Sequence, residues 1–163
     1  MEGPWCRPKW RVIHSRAPDT GKSPPKRAMI LHTSPVTSPE SLFDDLCAEP
    51  NAVKWTMSAA GAIDYISSEV EGVRGISPEA AMAQSGDQIH PAESLAVSLA
   101  YFEGFARDLI EGRVPATFHD HLEYNCADGS TVWCEVVAMP IMNTDGSLQE
   151  LRGVSAPRSG RPS

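Results

Sequence analysis

Hydrophobic and polar positions alternate most regularly from Phe118 to Met142, FHDHLEYNCADGSTVWCEVVAMPIM, which predicts two strands joined at Ala127-Asp128-Gly129-Ser130. Asp tolerates the backbone angles of such a turn, and Gly adopts positive φ without steric cost. Two registers compete. A two-residue Asp-Gly loop puts Tyr124 opposite Trp133, and His121 and Glu123 opposite Val136 and Cys134. A three-residue loop with a Gly bulge instead gathers Leu122, Tyr124 and Cys126 on one face with Val132, Cys134, Val136 and Ala138. His119, His121, Glu123 and Asn125 then share the other face with Thr131, Trp133 and Glu135. A one-residue slip flips every side chain, so the bulged register, which gives one apolar face, is expected.

Upstream, Ser38-Pro39-Glu40 has the signs of a helix start: a capping hydroxyl, Pro in the first turn and an acid at the positive end of the dipole. Leu42, Phe43, Leu46 and Cys47 form an apolar stripe, and Pro50 stops the helix. Ala52 to Met57 and Ala62 to Ile66 are strand-like runs around Ser58-Ala59-Ala60-Gly61. Ser68-Glu69-Val70-Glu71 has capping-box spacing, and Ser77-Pro78-Glu79 opens another short helix through Met82. The longest helix starts at Pro91 and runs to about Gly112, with Leu95, Leu99, Phe102, Ala106 and Leu109 along one face and Phe105 beside them. Asn143-Thr144-Asp145-Gly146 turns into a last strand, Leu148 to Ser155. The order is helix, two strands, three helices, three strands. It predicts an α+β domain whose five-stranded antiparallel sheet has one face covered by helices, with the N-terminal helix in addition.

Length and charge sharpen this picture. A chain of 163 residues suits one domain with a real core. Residues 1–37 hold six of the 14 prolines and seven Lys and Arg against two acids, without periodicity, so a disordered basic tail is expected there. Trp5 and Trp10 are unusual in such a tail, and Met29 is a second candidate start. The remainder holds seven Lys and Arg against nineteen acids, which argues against a nucleic-acid surface. The domain is expected to span 38–155, and 156–163, polar and rich in Ser, Arg and Pro, to fray. No apolar run reaches membrane-spanning length, and no signal peptide is evident. Cys6, Cys47, Cys126 and Cys134 lack metal-site or disulfide-framework spacing, so a reduced, cytoplasmic protein is expected.

Several short motifs occur in a particular order. Tyr65-Ile66-Ser67-Ser68 precedes Gly75-Ile76-Ser77-Pro78-Glu79, followed by Ile89-His90-Pro91, Asp128-Gly129-Ser130 with Trp133, and Pro140-Ile141. Asp145-Gly146 and Gly153-Val154 close the series. Over about residues 40–155 the chain thereby resembles the PAS domain, in its class with a C-terminal PAC motif (PAS fold-3-like). It departs from that class at Ala92-Glu93 after the His-Pro pair, at Glu123 in place of a strand Arg, and in a longer helix. Ser155-Ala156-Pro157 replaces the Asp-Ile-Thr ending that leads into an output domain, so the resemblance implies a stand-alone sensor that signals to a separate kinase, cyclase or regulator. It also implies that the concave sheet face and its helices enclose either a small ligand or plain core. The pocket candidates are Phe102, Phe105, Leu122, Tyr124, Cys134, Val136 and Ser155.

Specific chemistries find less support. The helical Cys motif of flavin-binding relatives is absent, and the corresponding strand positions read Tyr124, Cys134 and Ser155, which argues against flavin. Residues 92–112 contain no His, which argues against haem. His119, His121 and Glu123 share a strand face and could present three metal ligands, but a solvated polar face is the simpler expectation. Cys126 and Cys134 on the apolar face read as small hydrophobes rather than redox groups. No nucleophile elbow, phosphate loop or paired carboxylates can be placed, so no cofactor and no catalysis are expected. A small α+β cone enzyme, an isomerase or hydrolase using Asp120 or His121, is the alternative. Finally, Leu42, Phe43 and Leu46 on the first helix, with Trp133, Val137, Met139 and Ile141 on the outer sheet face, predict a homodimer interface; a helix folded onto its own sheet is the rival.

Overall fold

The computed structural model describes residues 37–162, so the basic Pro-rich segment and the choice between Met1 and Met29 lie outside the described residues. Helix α1 (Pro39–Cys47) begins as its sequence dictates: the Ser38 hydroxyl accepts the Ser41 N–H at 3.1 Å, and Pro39 occupies the first turn. Strands β1 (Val53–Ser58) and β2 (Ile63–Ile66) form the first hairpin. Four helices follow, where three are expected: α2 (Glu69–Arg74), α3 (Pro78–Met82), α4 (Gly86–Ile89) and α5 (Ala92–Ile110). The extra one, α4, is a single turn that Gln88 holds by accepting the Ser85 N–H at 2.9 Å. The Ser68 side chain, by contrast, makes no cap at the start of α2.

Strands β3 (Phe118–Asn125), β4 (Thr131–Met142) and β5 (Leu148–Arg158) complete an antiparallel sheet in the order β2-β1-β5-β4-β3. The central hairpin adopts the bulged register, with Tyr124 opposite Val132 and Leu122 opposite Cys134. Its three-residue loop ends at Gly129 with φ +86°, and Asp128 accepts the Ser130 N–H at 2.9 Å. The loop between β4 and β5 repeats this chemistry at Asp145-Gly146-Ser147.

The register sorts the core into two layers. On the outer face, Val137, Met139, Ile141, Val154 and Ala156 pack with Phe43, Leu46 and Cys47 of α1. Phe43 is 0% exposed, and its burial alone is worth about 2–3 kcal/mol. The patch expected to be covered by a second copy is therefore covered by the chain's own helix. Leu42 is partly buried at its edge, and Trp133 lies half-buried under the Arg161 guanidinium, 5.5 Å from its ring centre. The physical reason is that α1 is amphipathic and short, so it docks on the nearest apolar surface, its own sheet.

An ion-pair network fixes the helix there. Arg158 donates to both carboxylate oxygens of Glu49, at 2.8 and 3.0 Å, and to Glu135 at 2.8 Å; His119 reaches the other Glu135 oxygen at 2.9 Å. Burial pushes the Glu135 carboxyl up, but the hydrogen bonds from His119 and Arg158 outweigh it and leave it below its usual range. Arg158 also corrects the expected domain end. Residues 156–158 belong to β5, with Ala156 buried beneath α1 and Arg158 opposite Trp133.

Candidate ligand-binding cavity

On the inner face, α5 covers the sheet but touches it firmly only towards its two ends. At the N-terminal end the Ser94 hydroxyl accepts the Glu123 N–H at 2.8 Å. Towards the C-terminal end Phe105 packs on Ala138 and Leu151, with Tyr101 set against Phe118 at 4.9 Å between ring centres. The Tyr101 hydroxyl donates to the Ala116 carbonyl at 2.9 Å. Only Ser94 and Phe105 of this helix are fully buried, and Leu99, expected on the buried stripe, is 54% exposed.

Between those two attachments lies a cavity of about 310 Å³. Trp55, Met57, Ile66, Phe102, Phe118, Leu122, Val136 and Ala138 make most of its wall. Its polar groups are few and converge. The Tyr124 hydroxyl and Ser155 hydroxyl lie 2.9 Å apart, and the Trp55 indole N–H donates to Ser155 at 3.2 Å. That indole lies flat over Gly153, leaving no room for a Cβ there. His90 stands with its ring centre 4.5 Å from that of Tyr124. Its Nδ1 bonds the Glu123 carbonyl at 2.8 Å, and since a carbonyl only accepts, Nδ1 carries the proton. Burial, more than the neighbouring Arg74, pushes the His90 pKa below its usual value against that hydrogen bond, so the ring is neutral.

Arg74 closes this end. Its Nε donates to the Asn125 carbonyl and one Nη to Gln84 Oε1, both at 2.7 Å, and its guanidinium stands 5.7 Å from the Tyr124 ring centre. Burial lowers its pKa. Burial also raises the Tyr124 phenol and pushes the Cys134 thiol up to about 12. Neither group is a nucleophile in this setting.

Of the seven residues expected to line a pocket, Phe102, Leu122, Tyr124, Cys134, Val136 and Ser155 do so. Phe105 does not; its ring fills the core between α5, β4 and β5. Sequence reasoning missed Trp55 and Met57, whose alternation along β1 was a usable signal, and Arg74, for which a lone Arg in a short helix gives none. His90, read as a structural residue, both braces β3 and lines the cavity. Of the metal candidates, His119 is bonded to Glu135 and Glu123 to Thr131. With His121, they do not converge, and no group of three potential ligands exists among the described residues. Neither His121 nor the exposed Asp120 borders the cavity. The Cys126 thiol, 3.7 Å from the Val73 carbonyl, lies outside it as well.

No family model and no curated protein matches this sequence. Solved structures do. One is a light-oxygen-voltage domain studied with a flavin analogue, 17% identical, with a TM-score of 0.53 over 73% of this chain and 85% of that one. A second is the PAS domain of a protein from Colwellia psychrerythraea, 17% identical, with a TM-score of 0.52 over 68% of this chain and 89% of that one. A third is the N-terminal domain of a diguanylate cyclase with a PAS/PAC sensor from Marinobacter aquaeolei, 17% identical, with a TM-score of 0.50 over 65% and 94%. The five-stranded antiparallel sheet with its helical cover is the PAS fold.

Proposed function

We propose that this PAS-fold domain is a sensory module that holds a small ligand under α5 and signals by ligand-biased packing. The observation that carries this reading is the cavity itself. A volume of about 310 Å³ is at the lower end of the range of small-molecule sites, and an apolar wall with a few convergent polar groups is their usual make-up. The recess leaves apolar wall that no protein atom covers, and the apolar body of a ligand would cover it.

Binding is favoured over catalysis because the groups around the cavity are poorly suited to chemistry. The Cys134 thiol is pushed up to about 12, Tyr124 is raised by burial, and one ring nitrogen of His90 is committed to a backbone carbonyl. The reading involves no flavin, haem or metal. A ligand acts by binding one arrangement of α5 and the sheet better than another, and a partner protein or a second copy then reads the change. Native mass spectrometry of freshly purified protein tests it, reporting bound mass and oligomeric state together. A small molecule released on unfolding is expected. An empty domain whose melting temperature no small molecule of matching size raises would refute the reading. Among the described residues no helix is long and apolar enough to cross a membrane.

A further inference from the structure

The cavity wall carries one ionised side chain and no counter-ion. No Asp or Glu lines it, and His90 is neutral. Arg74 is only 6% exposed, yet no carboxylate among the described residues lies within ion-pair distance of it. Both of its acceptors, the Asn125 carbonyl and the Gln84 amide oxygen, are neutral. Arg158 at the surface, by contrast, engages two carboxylates. A buried cation is costly unless an anion compensates it, and the protein supplies none.

We propose that the ligand supplies it: the cavity takes a monoanionic carboxylic acid with an apolar body, its carboxylate received by Arg74 beside Tyr124 and His90. This rests on the reading of the cavity as a ligand site. The planar guanidinium fork fits a carboxylate, and a stacked aromatic ring below holds it in orientation. One cation and a neutral imidazole call for one negative charge rather than two. The rest of the wall, from Trp55 and Met57 to Phe102 and Phe118, accepts only hydrocarbon. At about 30 Å³ per small heavy-atom unit, the space holds roughly ten heavy atoms, the size of a medium-chain or aryl-alkyl acid.

The test uses the protein without substitution. Isothermal titration compares octanoate, octanamide, which has the same shape without the charge, and acetate, which has the charge without the apolar body. Octanoate is expected to bind at least about tenfold more tightly than octanamide, with acetate weaker than both. Arg74→Gln is expected to bring the acid and the amide to the same affinity, and Arg74→Lys to restore part of the difference. Because Arg74 also ties β3 to the end of α3, these variants are read only if their circular dichroism matches the parent, and the acid-to-amide ratio in the unsubstituted protein decides alone if they do not fold. Equal binding of octanoate and octanamide overturns the assignment of the carboxylate and leaves the ligand site standing. If none of the three probes binds and native mass spectrometry finds the domain empty, the cavity reading itself falls.

Discussion

Gly153→Ala tests the inner face most directly. Gly153 sits in the middle of β5 beneath the indole of Trp55, and the new methyl would overlap the six-membered ring. Even the less crowded Cη2 would lie 2.6 Å from it, against a contact distance of about 3.5–4.0 Å. The strand is hydrogen-bonded to β1 on one side and β4 on the other, so the indole is the group that yields first, swinging towards the cavity. That breaks the Trp55–Ser155 hydrogen bond, about 1 kcal/mol, and adds an overpacking cost of about 1–3 kcal/mol. A loss of about 2–4 kcal/mol lowers the melting temperature by about 8–16 °C in a domain of this size. The assay is thermal and urea unfolding of four proteins in a double-mutant cycle with Trp55→Leu, whose side chain ends before the clashing atoms. With Leu at 55, Gly153→Ala should cost less than about 0.5 kcal/mol, giving a coupling above about 1.5 kcal/mol. An equal cost in both backgrounds would refute the packing of Trp55 on Gly153, and with it the shape of the cavity.

Two further outcomes follow from other parts of the fold. Phe43→Ala should cost about 3–5 kcal/mol whatever the protein concentration, because the ring is buried by its own sheet; a cost that shrinks on dilution would point to a shared interface instead. His90 gives a pH dependence of known sign. Its folded pKa is depressed, so its contribution is fully present above the unfolded value near 6.5 and is lost as the pH falls through the folded pKa, at no more than about 1.4 kcal/mol per pH unit. Urea midpoints measured from pH 7.5 to 5 should therefore fall, and His90→Gln, which retains a donor for the Glu123 carbonyl, should flatten that decline; a midpoint that rises towards pH 5 contradicts the buried neutral ring.

What the sequence made legible was what depends on short-range pattern. The bulge at Gly129 and the two faces of β3 and β4 follow from alternation and turn chemistry, and so did the inward positions of Leu122, Tyr124, Cys134 and Val136. What it hid depends on distant partners. Leu42, Phe43 and Leu46 have the same pattern whether they face a second copy or the chain's own Val137 and Met139, because an apolar stripe says that it is buried but not by what. The segment after Ser155 reads as a polar tail, and becomes strand because Arg158 meets Glu49, 109 positions earlier. Helical spacing placed Leu99 inside, whereas α5 is held at Ser94 and Phe105 and bridges the gap between them. Arg74 gave no signal at all, since its lack of a counter-ion is a property of the folded space around it.

Strand β5 touches both layers at once. Ser155, on the cavity side, holds the Tyr124 hydroxyl and the Trp55 indole, while its neighbours Val154 and Ala156 form the seat of α1 on the opposite side. Successive side chains of one strand share a rigid backbone, so a rotation that relaxes Ser155 towards a new hydrogen-bond partner turns the other two by the same angle. The sheet thus acts as a diaphragm one residue thick. Were the proposed ligand to shift Ser155 on its concave side, the convex seat of α1 would feel it through one strand, with the Arg158–Glu49 pair at the rim opposing any movement of the helix end.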